Sequence, residues 1–282
     1  MTILAESAIT VRNLPSGKAA RALRPLENGL RRETEVPPTP IAQPSAGVTP
    51  GGRIRDRGSA VVKRGFDAVV AACLLAVAGL LILVIAVAIK LDSRGPVFIR
   101  CRRVGLAGRE FGMLKFRKMR DGVGGPPLTT PNDSRFTRIG HFLARTKLDE
   151  LPQLWSVLRG DMSLVGPRPE DPSFTLLRRK EFEAILRARP GITGLSQLAF
   201  ARENEILDPH DRMGHYVRRI LPQKLQLDRL YLERRSFLLD ARILGWTAAA
   251  VILRQEVAVH RETGRLGTRR RPSRQLVPLP RD

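Results

Sequence analysis

The sequence LDELPQLW at residues 148–155 places two acidic residues shortly before a proline, and GDMSLVGPRPE follows at residues 160–170. Pro152 is compatible with an α-helix only in the first turn, because its missing N–H would be unpaired there in any case. Asp149 and Glu150 are therefore predicted at the start of a helix, beside free backbone N–H groups. Such a terminus attracts anions, so it can hold an ionised Asp149 while a substrate phosphate and a divalent cation assemble beside it.

The adjacent side chains of Asp149 and Glu150 point in different directions. One carboxylate can then attack a substrate while its neighbour binds a metal ion or handles a proton. We therefore identify both as candidate catalytic and metal-binding residues. A structural interpretation is also open, in which Asp149 caps the helix and Glu150 occupies the favoured first turn.

The segment GPRP at residues 166–169 predicts a rigid turn, since both prolines fix their own φ angles and restrict the residue before them. Arg168 is then presented on a stiff frame, where its guanidinium can bind phosphate oxygens bidentately. A surface turn whose arginine pairs with a nearby acid fits the same residues. RPGITG at residues 189–194 predicts a second stiff turn, whose glycines permit close approach of a ligand or another backbone segment.

The extended stretch at residues 109–119 adds further basic side chains. Basic residues recur along it and just after it, so they can line a phosphate-binding surface: Lys115, Arg117, Lys118 and Arg120. A solvated or lipid-facing basic strand explains the same pattern.

Phe66 to Ile89 is the longest apolar segment of the chain, with Asp67 its only charge. A helix of this length is roughly long enough to cross a hydrocarbon core of about 30 Å. Basic residues flank it on both sides. A spanning helix is expected to carry its basic excess on one flank only, but a helix that enters and leaves by the same face can carry basic residues on both flanks. Re-entrant and spanning topologies therefore stay open, as does a fully buried core helix.

The chain has 282 residues, with 49 Lys and Arg against 27 Asp and Glu, a formal net charge of +22. This excess predicts acidic partners, such as anionic lipid, nucleic acid or phosphorylated substrates. Aromatic residues make up only 5% of the chain, which argues against a single-stranded nucleic-acid surface built on base stacking. Cys73 and Cys101 indicate neither a disulfide framework nor a cysteine-rich zinc site.

Composition and periodicity divide the chain into four parts. Residues 1–58 are predicted to be a disordered tail, 59–92 a membrane-anchoring helix, 93–258 a compact domain, and 259–282 a disordered basic tail. The domain is predicted to be mostly helical, with short strands near its start. Helical periodicity covers residues 149–158, 171–187, 211–234 and 237–253. The fold class is thus α+β: a membrane-inserted N-terminal helix followed by a cytoplasmic domain that carries the acidic pair.

Together these segments closely resemble the bacterial sugar transferase family, the monotopic polyprenyl-phosphate phosphoglycosyl transferases. The resemblance covers roughly residues 60 to 255 and rests on the order and spacing of its segments. These are Lys63 to Asp67, Lys90 to Phe98, Lys115 to Met119, the acidic pair, residues 166–169, residues 189–194, and Asp228 to Ile243. With one apolar segment before the catalytic domain, the chain resembles the minimal form of the family.

The resemblance implies an enzyme of the cytoplasmic face of the bacterial inner membrane. It would transfer a sugar 1-phosphate from a UDP-sugar to polyprenyl (undecaprenyl) phosphate, the first membrane step of polysaccharide or glycoconjugate synthesis. Asp149 would attack the β-phosphate, release UMP and carry the phosphosugar until polyprenyl phosphate takes it. Glu150 would help position Mg²⁺ or accept a proton, and Mg²⁺ held by Asp149 and Glu150 would offset the charge of the pyrophosphate. The expected phosphate-binding residues are Arg168, Lys115, Arg117 and Arg145.

Two positions depart from the family's pattern. Gly79-Leu80 stands where a Ser-Pro pair usually breaks the membrane helix, so the strongest local cause of a re-entrant bend is absent. Ala144 stands where many members have an arginine, and Arg145 is expected to take its place from one position later.

Two other functions stay open on the residues alone. A membrane-anchored basic protein that binds anionic lipid or nucleic acid without catalysis fits the composition. Direct glycosyl transfer, which would release UDP instead of UMP, fits an enzyme with the same donor. On the enzyme interpretation, the expected partners are polyprenyl phosphate, a UDP-sugar and membrane lipids, and nucleic acid is not among them.

Overall fold

The computed structural model describes residues 57–125, 128–130, 133–208 and 210–268. The α-helices are α1 (Arg57–Asp92), α2 (Arg138–Thr146), α3 (Gln153–Arg159), α4 (Pro172–Leu177), α5 (Arg179–Ile185), α6 (Leu195–Ala199), α7 (Glu203–Ile206), α8 (Arg212–His215), α9 (Leu221–Arg234) and α10 (Phe237–Ile252). The strands are β1 (Phe98–Val104), β2 (Glu110–Phe116), β3 (Ser163–Val165), β4 (Gly191–Thr193), β5 (Val257–Val259) and β6 (Leu266–Thr268). Short 3₁₀ turns cover Leu106–Gly108 and Leu148–Glu150, and a π-helix at Tyr216–Ile220 joins α8 to α9.

Helix α1 is unbroken over 36 residues, a length of about 54 Å. It continues through Gly79, as expected for a segment without proline. Its N-terminal part bonds to the domain through Asp67, which accepts a hydrogen bond of 2.6 Å from Ser163 Oγ. Its C-terminal end bonds to the same domain through Asp92, whose Oδ2 accepts from the Ile139 N–H at 3.0 Å. Both ends of α1 are therefore fixed to one folded body.

The strands pair two by two. β1 and β2 form an antiparallel hairpin, β3 and β4 a parallel pair, and β5 and β6 a second antiparallel hairpin. The parallel pair lies in the main core, which α3, α6, α9 and α10 surround. Fully buried members of that core are Val157, Met162, Val165, Leu195, Leu227, Tyr231 and Ile243. This packing places the turn after β3, which carries Arg168, beside α9.

The mixed, mostly helical fold confirms the sequence prediction, with shifts at several boundaries. The helix predicted at 149–158 is divided into a 3₁₀ turn and α3, because Pro152 is the N-cap residue of α3 and lies just before its first residue, Gln153. The disordered tail predicted from residue 259 differs from the structure, in which residues 257–268 form a hairpin. Val257 is 8% exposed and packs on the main core, so burial of its apolar face stabilises this hairpin. Residues 269–282, and residues 1–56 of the predicted N-terminal tail, lie outside the described residues.

Candidate active site

The acidic pair lies in the 3₁₀ turn between α2 and α3. Lys147 precedes this turn with a φ of 61°, in the left-handed region, and this ends α2 sharply. Asp149 is 1% exposed, whereas the Glu150 side chain is 26% exposed. The tight turn therefore aims two neighbouring carboxylates at different surroundings, as the sequence predicts.

Each carboxylate faces a lysine from the β2 region. Lys115, inside β2, places Nζ 2.8 Å from Glu150 Oε1. Lys118, just beyond the end of β2, places Nζ 3.1 Å from Asp149 Oδ2. The hairpin β1–β2 thus positions two ammonium groups against the acidic pair.

These charges hold Glu150 ionised at neutral pH. Burial acts to raise the pKa of Glu150, but the positive charges of Lys115, Arg168 and Lys147 outweigh burial and lower that pKa to about 2. Burial acts to lower the pKa of Lys115, but the charges of Glu150 and Asp149 outweigh it and raise that pKa. A carboxylate of such low basicity is a poor proton acceptor but a good ligand for a cation.

The acidic pair fits the Mg²⁺ ion that the sequence predicts. Asp149 Oδ2 is buried, accepts no hydrogen bond from the described residues and faces Lys118 Nζ at 3.1 Å, so a metal ion bound to this oxygen would take the place of the ammonium group. Carboxylate oxygens are the hard ligands that Mg²⁺ prefers, and one or two of them suffice when substrate phosphates supply others. The described residues contain no group of three or more His, Cys, Asp or Glu side chains that could hold a metal alone. The pair therefore suits a magnesium ion shared with a phosphorylated substrate.

Arg168 lies in the turn after β3, between Pro167 and Pro169. Its backbone N–H donates to Asp228 Oδ2 at 3.3 Å. Its guanidinium faces two carboxylates at longer range, with Nε 3.6 Å from Glu170 Oε1 and Nη2 4.0 Å from Glu203 Oε1. The side chain is 32% exposed and donates no hydrogen bond within the described part of the chain. Its N–H groups are therefore available for phosphate oxygens.

Electrostatics keeps Arg168 charged. Burial acts to lower the pKa of this guanidinium, but the carboxylates of Glu203, Glu170 and Glu150 outweigh burial and raise it. The charge of Arg168 also lowers the pKa of Glu150, so the two side chains lie within electrostatic range of each other. The structure thus brings Arg168 together with Lys115, Asp149 and Glu150, as the sequence predicts.

Two other predicted phosphate-binding residues do not join this group. Arg117 is 3% exposed, and its guanidinium donates to Ser93 O at 2.8 Å and to the Arg94 carbonyl. It ties the end of β2 to the end of α1 and is not directed at the acidic pair. Arg145 is exposed in the last turn of α2, and no ion pair joins it to a described carboxylate.

Sequence reasoning missed Lys147 beside the acidic pair, and it grouped Lys118 with the basic strand without assigning it to that pair. Lys118 contacts Asp149 directly. Lys147 is exposed, makes no ion pair within the described residues, and lies in electrostatic range of both carboxylates. The signal for both was proximity in sequence, because Lys118 follows the basic strand and Lys147 is two residues from Asp149. We call Lys115, Lys118, Lys147 and Arg168 the cation ring.

A buried polar cluster behind Arg168 was also missed. Lys224 of α9 is 2% exposed, Tyr216 2% and Glu170 8%. The Tyr216 hydroxyl donates to Glu170 Oε2 and accepts from Lys224 Nζ, both at 3.1 Å. Lys224 also forms a close ion pair with Glu203 of α7. The sequence sign of this cluster was a lysine within the apolar stripe of α9, between the buried Leu221 and Leu225.

Asp228, one turn after Lys224, supports the Arg168 turn from α9. Its Oδ1 accepts from Ser196 Oγ at 2.6 Å, and its Oδ2 accepts from the Arg168 N–H. Burial raises the pKa of Asp228 to about 7, against the lowering effect of these hydrogen bonds. The carboxyl therefore bonds the Arg168 turn to α6 and α9.

These observations define a class of protein. Four cations lie around two adjacent carboxylates, and a long apolar helix is fixed to the same domain. Such a site is typical of proteins that bind phosphorylated ligands. The chain belongs to the bacterial sugar transferase family, whose family model matches residues 58–254, and the resemblance seen in the sequence is thereby confirmed.

Curated relatives carry related names. A UDP-glucose:undecaprenyl-phosphate glucose-1-phosphate transferase of Xanthomonas campestris pv. campestris is 42% identical over 211 residues, which cover 72% of this chain and 41% of the relative. A protein of the same name from Caulobacter vibrioides is 38% identical over 208 residues, covering 72% of this chain and 74% of the relative. A UDP-N-acetylgalactosamine-undecaprenyl-phosphate N-acetylgalactosaminephosphotransferase of Aeromonas hydrophila is 33% identical, covering 68% and 44%. The chain thus spans less than half the length of the Xanthomonas and Aeromonas relatives.

Proposed function

We propose that this chain transfers a sugar 1-phosphate from a UDP-sugar to undecaprenyl phosphate, releases UMP, and carries the phosphosugar on Asp149 between the two steps. The observation that carries the proposal is the position of Asp149, buried and within a ring of four cations. The four cations outnumber the two carboxylates of the acidic pair, although Arg168 also faces Glu170 and Glu203. The pyrophosphate of a UDP-sugar is negatively charged, so the charges of site and substrate are complementary.

In the first step, a carboxylate oxygen of Asp149 forms a bond to the β-phosphorus of the UDP-sugar. The bond from that phosphorus to the bridging oxygen breaks, and its electron pair leaves with UMP. Lys118 faces the attacking carboxylate and stabilises charge on the transferring phosphoryl oxygens. Arg168, which lies in electrostatic range of Glu150, binds a phosphate of the UDP-sugar.

In the second step, an oxygen of undecaprenyl phosphate attacks the same phosphorus. The bond from phosphorus to Asp149 breaks, the carboxylate is regenerated, and the sugar leaves on undecaprenyl diphosphate. Bound Mg²⁺ would supply further neutralisation of the phosphate charge, held by Asp149 and Glu150. The low pKa of Glu150 favours this role over the acceptance of a proton.

The acceptor lipid requires a membrane-bound enzyme, and α1 supports this. Its lipid-facing side is proposed to consist of its most exposed apolar side chains, Val61, Val62, Val69, Val77, Leu80, Leu83, Val84, Val87 and Leu91. Phe66 of α1 meets Phe237 of α10 edge to face at 6.4 Å, next to the exposed Leu238. An exposed apolar helix face of this length marks a membrane contact.

Both ends of α1 are bonded to the same domain, so we place both on one side of the bilayer. This argues against a spanning helix. Because α1 is unbroken over 36 residues, it is placed along the cytoplasmic face of the bilayer, without a re-entrant bend. The basic residues on both flanks then meet the anionic surface of the cytoplasmic leaflet.

The test is nucleotide release by the detergent-solubilised chain with undecaprenyl phosphate, Mg²⁺ and a panel of UDP-sugars. We expect UMP from at least one sugar, at least a thousandfold less from Asp149→Asn, and near-normal release from Asp161→Asn. Asp161 is a matched control, because within the described residues its carboxylate pairs with Arg159 alone, at 3.5 Å, and with no member of the cation ring. Without undecaprenyl phosphate, the wild type should retain one phosphosugar on Asp149, detected by mass spectrometry.

Other outcomes would point elsewhere. UDP in place of UMP would indicate direct glycosyl transfer. A folded, lipid-bound protein that releases neither nucleotide would indicate a basic membrane-binding protein without catalysis.

A further inference from the structure

The Arg168 guanidinium lies farther from its neighbouring carboxylates than hydrogen-bonding distance. Glu170 and Glu203 lie 3.6 Å and 4.0 Å from it. A guanidinium beside carboxylates ordinarily closes to bidentate hydrogen bonds of about 2.8 Å. Within the described residues, Arg168 forms none of these. Some other group therefore competes for the same carboxylates.

Lys224 is that competitor. Its Nζ lies 3.6 Å from Glu170 Oε1, the same oxygen that Arg168 Nε faces at 3.6 Å. It also pairs closely with the second oxygen of Glu203, whose first oxygen faces Arg168. Both carboxylates are thus shared between one buried ammonium group and one partly exposed guanidinium.

Lys224 is itself immobilised. It donates to the Tyr216 hydroxyl at 3.1 Å, and its Nζ lies 4.7 Å from the centre of the Tyr216 ring. With 2% of its surface exposed, it is out of reach of a large substrate. It therefore acts on substrate only through the groups that it shares with Arg168.

We propose that Lys224 and Glu203 are positioning residues that keep the Arg168 guanidinium free to bind a substrate phosphate. Two carboxylates and two cations make this cluster neutral. Lys224 prevents Glu170 and Glu203 from binding Arg168 fully, while Glu203 still orients the guanidinium. This inference rests on the proposed role of Arg168 in binding the UDP-sugar.

The proposal predicts a particular order of affinities for UDP, used as the binding probe in titration calorimetry. In Lys224→Met, two carboxylates share Arg168 alone and draw it away from the site, so UDP should bind about tenfold more weakly. In Glu203→Gln, Arg168 loses one orienting partner, and binding should weaken about threefold. The double variant leaves Glu170 with Arg168 alone and should bind UDP better than Lys224→Met.

The enzymatic readout should follow the binding readout. KM for the UDP-sugar should rise in the same order, with kcat within about twofold of wild type, because both residues act on substrate binding. Glu205→Gln is the matched control. Glu205 lies on the same short helix α7, and its Arg202 partner lies 3.8 Å away, so this variant should match wild type.

Three outcomes would overturn the proposal: UDP affinity unchanged in folded Lys224→Met, a double variant weaker than Lys224→Met, or a lower kcat at constant KM. Should Lys224→Met not fold, Glu203→Gln is compared in the wild-type and Arg168→Ala backgrounds. Its effect on UDP affinity should disappear without Arg168, and its persistence would exclude an action through Arg168. A wild type that neither binds UDP nor releases UMP would instead refute the proposed function itself.

Discussion

Two buried ionic networks in this protein have opposite charge balances. The anchoring network joins α1 to α10 and contains one cation, Lys63, against two carboxylates, Asp67 and Asp240. The acidic pair Asp149 and Glu150 is instead surrounded by the four cations of the cation ring. In the anchoring network, hydroxyl groups supply the missing donors, since Ser163 donates to Asp67 at 2.6 Å and Tyr231 to Asp240 at 2.8 Å.

The two networks therefore differ in role: the anchoring network supports the fold, and the cation ring is suited to bind an anion. In the anchoring network the Lys63 side chain is only 16% exposed, and each carboxylate bonds to a hydroxyl group of the protein. The cation ring has an exposed Lys147 without an ion pair and an Arg168 that donates no hydrogen bond within the described residues. An excess of unsatisfied positive charge in a partly open site favours anion binding. The predictions below test this distinction.

Arg168→Lys should produce the largest effect of these predictions. Lysine keeps the charge but lacks the planar fork, so we expect kcat/KM for UMP release to fall about 100-fold, or about 3 kcal/mol, with the melting temperature nearly unchanged. Arg189→Lys is the matched control, because Arg189 begins the other stiff turn and donates to Gly160 O at 3.0 Å. An equal loss of kcat/KM in both variants would show that activity depends on the structure of the two turns and not on the planar guanidinium of Arg168.

Asp240→Asn should lower stability while leaving kcat nearly unchanged, which is the reverse of the effect expected for Arg168→Lys. Removing one charge of the anchoring network leaves Lys63 with the more distant Asp67, so we expect a loss of about 2 kcal/mol in stability. The kcat of the remaining folded protein should stay near that of wild type. The measurement pairs thermal unfolding in detergent with UMP release per folded molecule. A large fall in kcat without a change in melting temperature would place this network in the catalytic machinery.

Lys147→Met tests the unpaired member of the cation ring. Removing this exposed cation should raise KM for the UDP-sugar about threefold to tenfold and weaken the salt dependence of KM, since the lost attraction is electrostatic. Arg145→Gln, two residues away, should change KM less than twofold, because the exposed Arg145 forms no ion pair with a described carboxylate. If the two variants reversed their effects, the sequence-based choice of Arg145 would be restored.

The convergence of Lys115, Asp149, Glu150 and Arg168 followed from the sequence because each depends on local rules. Strand alternation orients Lys115, a proline fixes the turn before α3, and two prolines fix Arg168. The same alternation failed at Arg117, because β2 ends at Phe116. Beyond that residue the backbone turns, and the guanidinium caps the end of α1.

The buried cluster required tertiary structure. Lys224, Glu203 and Glu170 come from three segments of the chain, and nothing local in the sequence brings them together. The only local sign was a charge within the apolar stripe of α9. A charged residue in such a stripe indicates a buried partner, although the pattern does not identify that partner.

A fall in pH should lower the free energy of unfolding of the protein, and this is the smallest effect that we predict. The pKa of Glu150 falls from an ordinary value near 4.5 to about 2 in the folded protein. Its ionised form therefore contributes stability that is fully present above pH 4.5 and is lost as the pH falls toward 2. The full shift corresponds to about 3 kcal/mol, of which we expect about 1 kcal/mol to be measured, because water and salt screen a side chain that is 26% exposed. Unfolding midpoints of wild type and Glu150→Gln, compared from pH 6 to pH 2.5, should converge as the pH falls. A constant difference across that range would mean that Glu150 is not held ionised by Lys115 and Arg168.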